Sequence, residues 1–202
     1  MNEKLYNKAI KADFSKILVN KGYVYFNKGK YNLNIIGVRR ADTKVTNQFD
    51  DYIVVEYIDM YGIKTRDVFP ATTDPGLSSM TKPMSTKGCA ILVPGQYRSS
   101  WMIGYHKGKY EAIVQYKPVK VYRDNDKDNV HDLNPKTIEE GNFGINIHKA
   151  GDDSTIVNGW SAGCQVLKRK VNFDKLMKLA HYQFSQGMGA RYTYTLINEE
   201  DL

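Results

Sequence analysis

Two side chains in this sequence have types and spacing that could do covalent chemistry. Cys164 stands in "GWSAGCQVL", residues 159–167, just after Ser161, Ala162 and Gly163, and His148 lies upstream in "GINIHKAG". A cysteine nucleophile needs a base in reach, thiolate character and N–H donors for the oxyanion that forms on the attacked carbonyl. His148, at the end of an expected strand, could supply the base. Gly163 lets the backbone turn sharply so that amides face a developing oxyanion, and Ser161 could hydrogen-bond the site or the substrate. Spacing alone favours a plainer reading, in which Cys164 is a small apolar filler and His148 a satisfied core histidine.

Other chemistries find less support. The only histidines are His106, His131, His148 and His181, and none forms an HExxH zinc pair. "DNDKDN" places Asp124, Asp126 and Asp128 like the opening of an EF-hand, but Asn129 and Pro135 stand where that loop needs Gly and Glu. The expectation is a solvated acidic turn, no metal and no cofactor. A papain-like amidase would use Cys89 with His106 or His148. That fold wants its cysteine at the head of a buried helix, whereas "CAILVPG" is broken by Pro94 and reads as a strand.

The chain of 202 residues can form one domain with a sizeable core. Its 15 tyrosines and Val-Ile-Thr clusters favour β structure. A net charge of +7 suits polyanions, but the lysines form no block and give no nucleic-acid footprint. Two cysteines make no disulfide framework and are expected reduced. No apolar run approaches the roughly 18 residues of a membrane span, and no export signal is visible. The expectation is a monomer made in the cytoplasm, without integral membrane contact.

The positioning elements follow from periodicity. Residues 3–20 read as one amphipathic helix, with Tyr6, Ile10, Phe14, Ile17 and Leu18 on a face and Gly22 as its stop. Period-two patterns predict a hairpin around "NKGK" and another around "DMYG". Residues 70–88 hold three of the six prolines and read as a long loop. Strands are expected at "CAILVPG", "SWMIGYH", "YEAIVQY", "VKVYR", "FGINIH" and "RYTYTLI", with a second helix over 172–186. Together these give a mainly β (α+β) domain spanning 1–202, with ten or so strands and two helices.

A strand ending in "INIH", a short loop and then "SAGC" resembles the active-site signature of the L,D-transpeptidase (YkuD-type) catalytic domain. "FPATTDPG" is similar to that family's segment leading into its cleft, and the shared order covers roughly residues 50–197. "GCQV", "PGQYRSSW" and "GYHKGKYEA" look closest to a divergent branch of phage proteins that degrade peptidoglycan. The resemblance implies a β-sandwich of mixed sheets with Cys164 as nucleophile, His148 as base, and Ser161 and Gly163 shaping the pocket and oxyanion hole. A backbone carbonyl would orient His148, with Asp152 or Asp153 as alternatives. Where the family carries an arginine two residues after its cysteine, this chain has Val166. Substrate contacts are therefore expected from Arg98, Trp160, Thr73 and Arg169, with Lys168 and Arg191 as further cations. The implied activity is hydrolysis of peptidoglycan stem peptides through a thioacyl-enzyme, on the wall after phage-type release or within a virion. Wall cross-linking, or an inactive wall-binding module, are the alternatives.

Overall fold

The computed structural model describes residues 2–202. Eight strands close into a barrel: β1 (Asn34–Arg39), β2 (Asp51–Ile58), β3 (Lys64–Thr72), β5 (Gly95–His106), β6 (Tyr110–Gln115), β9 (Ile147–Lys149), β10 (Gln165–Leu167) and β11 (Arg191–Asn198). β4 (Cys89–Leu92), β7 (Val119–Asp124) and β8 (Glu139–Gly141) form a separate three-stranded sheet. The pairs β1–β11 and β9–β10 are parallel and the other neighbours antiparallel. The β-rich, mixed-sheet expectation holds, but closure of the main sheet into a barrel replaces the expected sandwich.

Burial on both sheet faces explains the near-continuous apolar run of β1 and β2. Ile35, Ile53 and Val55 join Trp101, Phe69, Leu167 and Tyr194 in the main core. Ile36, Val38, Tyr52 and Val54 face the other way and are covered by Leu5, Ala9, Phe14 and Leu18. Each of the three large covering side chains is worth about 1.5–3 kcal/mol when taken out of water.

Those four residues come from two helices where one was expected, α1 (Glu3–Lys11) and α2 (Phe14–Asn20). The chain breaks because Asp13 caps α2 by accepting from the Lys16 N–H at 3.2 Å. Arg66 occupies the break, donating to the carbonyls of Ala9, Ile10 and Ala12 while pairing with Glu56 at 2.6 Å. Ile10, expected on the buried face, is consequently exposed. Gly22 adopts φ +74° after α2, as a helix stop requires.

Two further differences concern connections. The "NKGK" hairpin does not form: instead of a strand partner, Phe26 exchanges hydrogen bonds with the Asn34 side chain at 2.8 and 2.9 Å. The 70–88 loop carries a short helix, α3 (Leu77–Thr81), so the described chain has four α-helices with α4 (Lys170–Ser185). The "DMYG" hairpin forms as expected, pairing β2 with β3.

Candidate functional site

The site is built on the alternation of β9 and β10. Gln165 pairs with Ile147 and Val166 with His148, so one residue earlier Cys164 lies beside Asn146. Partners in a parallel ladder share a face. Ile147 and Leu167 point into the main core, while His148 and Asn146 share the opposite face with Cys164 and Val166. Ile113 of β6 pairs with Ile147, and His106 with Tyr110, which brings His106 and Tyr110 to that same outer face. Gly104 pairs with Ala112 on the same face, and the Val114 side chain fills the space a Cβ on Gly104 would take.

His148 is 2 % exposed and its ring stacks on His106 with centroids 4.0 Å apart. Its Nδ1 lies 2.8 Å from the Lys149 carbonyl, which can only accept, so Nδ1 carries the proton. Tyr110 then donates its hydroxyl to the same carbonyl at 3.4 Å. The tautomer leaves Nε2 with a bare lone pair, buried and without a hydrogen-bond partner. Burial, followed by the neighbouring His106, pushes the His148 pKa down to about 3. At neutral pH this imidazole is uncharged.

Cys164 keeps part of its surface open, yet protein surrounds the sulfur closely enough that burial raises the thiol pKa. The Asn146 main-chain N–H and the Lys107 charge oppose that rise. The thiol donates to the Gly144 carbonyl at 3.3 Å and makes no hydrogen bond to His148. The resting pair is therefore neutral thiol and neutral imidazole.

The turn before Cys164 is fixed by Ser161 and Gly163. Ser161 Oγ donates to the Cys164 carbonyl at 2.8 Å and accepts the Gly163 N–H at 3.2 Å. Gly163 sits at φ +124° against the Ala90 carbonyl, where a Cβ would collide. Ser161 is fully buried, and both of its hydrogen bonds hold the loop. With the Gly163 N–H already spent, the free amide beside the sulfur is that of Cys164, which has no acceptor among the described residues.

Of the expected substrate contacts, the structure brings one near. Trp160 is half-exposed, its ring against Gly151 in the loop that follows His148. Thr73 is fully buried, donating to Asp51 at 2.8 Å and accepting from Arg39 at 3.1 Å, so it belongs to the framework. Arg98 lies at the other end of β5, eight residues or about 26 Å of strand rise from His106. Arg169 caps the start of α4 and faces Asp153 at 3.6 Å, while Lys168 holds the same carboxylate at 2.7 Å. Arg191 lies over the Tyr116 ring. Asp153 is thus engaged elsewhere, and the Lys149 carbonyl orients His148.

Other residues of the site carried no motif in the sequence. Asn146 donates through Nδ2 to His106 Nδ1 at 3.1 Å and accepts the Gln115 N–H at 3.0 Å. Gln115 in turn accepts the N–H groups of Phe143 and Ile145, fixing the segment that presents Gly144. Lys107, in the β5–β6 turn, is the cation whose charge reaches Cys164, His106 and His148 alike. One signal was available: in "INIH" the polar residues alternate with isoleucines, which puts Asn146 and His148 on one face.

Cys89 is buried in β4, donating to the Ser79 carbonyl at 3.0 Å, and burial pushes its thiol up to about 11. A second charged group lies apart from the thiol: Arg39 pairs with Asp74 at 2.7 Å, with His131 3.7 Å from Asp74, beside a polar cavity of about 100 Å³. Asp124 and Asp126 converge with Asp132, rather than Asp128, to within 4.8 Å. No described helix is long and apolar enough to cross a membrane. Comparison of the chain with family models, with curated proteins and with solved structures finds no match.

Proposed function

We propose that this protein is a cysteine-dependent hydrolase of peptidoglycan stem peptides, acting on the cell wall after phage-type release or as part of a virion. The observation that carries the reading is the bare, buried Nε2 of His148 on the face that holds Cys164. An unsatisfied buried acceptor costs about 1–3 kcal/mol and calls for a purpose. Receiving a thiol proton is one.

On substrate binding the thiol turns from Gly144 and gives its proton to His148 Nε2. Sulfur bonds to the stem-peptide carbonyl carbon, and the oxyanion meets the Cys164 N–H. The carbon–nitrogen bond then breaks, and the amine leaves with the proton from Nε2. Water adds to the thioester as Nε2 takes one of its protons, and the carbon–sulfur bond breaks. Nε2 returns that proton to sulfur to restore the thiol, and the product acid gives its remaining proton to solvent and departs as a carboxylate. Starting from two neutral groups, deprotonation accompanies attack rather than preceding it.

The wording of "SAGC" after "INIH", similar to L,D-transpeptidase domains, supports the substrate class. An amine in place of water would make a transpeptidase from the same site. Digestion of purified wall, with mass analysis of the released peptides, tests the proposal. New peptide termini support hydrolysis, and exchange of an added D-amino acid supports transfer. The absence of a thiol–imidazole bond favours one second reading, a catalytically silent wall-binding or virion module. Wall sedimentation without any new termini would select it.

A further inference from the structure

Gln165 follows the thiol residue directly, and its side chain is fully buried on the opposite face. A buried amide must satisfy both of its ends. Its Oε1 accepts the Tyr194 hydroxyl at 2.7 Å, and its Nε2 donates to the carbonyls of Gly163 at 3.2 Å and Thr73 at 3.3 Å. Two carbonyls demand the NH₂ end, so this orientation of the amide is dictated by its partners. Tyr194 reaches it across Gly37, where any side chain would collide with the hydroxyl. The Thr73 carbonyl is held in turn by Arg39 at 3.0 Å.

This holds the Gly163 carbonyl toward the interior. No peptide in the described chain is cis, and in a trans peptide the N–H opposes the C=O. The Cys164 N–H is therefore turned outward, free of any acceptor among the described residues. We infer that Gln165, oriented by Tyr194, is a positioning residue that presents the Cys164 amide as the oxyanion donor. The inference rests on Cys164 as nucleophile and extends it to any acyl donor, whatever the natural substrate.

Two small reagents separate this role from general upkeep of the fold. p-Nitrophenyl acetate transfers its acetyl group to the sulfur through an oxyanion and expels p-nitrophenolate. Iodoacetamide alkylates the same sulfur by displacing iodide, with no oxyanion. In Gln165→Met, acetylation of Cys164 should fall about ten-fold or more relative to alkylation, since an oxyanion donor is worth at least that much. Tyr194→Phe, which removes one oxygen, should lower the same ratio less and serves if Gln165→Met does not fold. A ratio unchanged from the native protein in the folded variants would overturn the inference. The outcomes remain distinct from those for the proposed function. Stem-peptide cleavage with an unchanged ratio sinks the positioning role alone, and a lowered ratio without cleavage sinks the substrate alone.

Discussion

His106 and His148 stack ring on ring, their planes 23° apart and their centroids separated by 4.0 Å. Two imidazoles in that contact resist being charged together, and Lys107 and Lys149 add to the opposition around His148. Between pH 6.5 and about 3 the unfolded chain binds a proton at His148 that the folded chain refuses. Stability is thus full above pH 6.5 and falls as pH drops through that window, by up to ~5 kcal/mol. Urea midpoints between pH 7 and 4 should decline, and His148→Gln should flatten the decline. An NMR titration of the His148 ring with a midpoint near 6.5 would contradict the assignment.

The thiol should behave as a neutral group at rest. Burial raises the Cys164 pKa above its ordinary 9, and no hydrogen bond joins it to an imidazolium. Its alkylation by iodoacetamide should climb about ten-fold per pH unit from pH 7 to 8.5. A rate already level below pH 7 would reveal a preformed thiolate–imidazolium pair instead.

Gly163→Ala should damage both fold and site. The residue needs a positive φ, and the new Cβ would meet the Ala90 carbonyl. A loss of about 2 kcal/mol or more is expected in chemical denaturation. Native stability in this variant would mean the turn before Cys164 can relax.

Thr73→Val should cost about 2 kcal/mol of stability, because it deprives buried Asp51 and Arg39 of a shared partner. KM should not change. A raised KM in a variant of native stability would restore Thr73 to the substrate-contact set.

The sequence disclosed the parts of this molecule whose signals are local. Period-two patterning located the strands around "DMYG", and the glycine after residue 20 marked a helix stop. The α1–α2 break escaped because it depends on Arg66, which arrives from β3 to hold the carbonyls of Ala9 and Ala12. Cys164 and His148 were readable as a pair by order and wording. The groups around them were not, since His106 and Tyr110 meet them only through barrel registers, and nothing local shows that Gln165, next to Cys164, turns its side chain to the opposite face. From the sequence, Thr73 is expected among the substrate contacts and Ser161 in the pocket. Both are buried because they satisfy hydrogen bonds that burial makes obligatory.

Intact-mass measurement of the protein after mixing with diaminopimelate- and lysine-type stem peptides tests the central claim most directly. The account predicts an added acyl mass on the native protein and on Cys89→Ser, with turnover lost in Cys164→Ser. No adduct and no turnover with either peptide type, or turnover lost in Cys89→Ser and kept in Cys164→Ser, would contradict it.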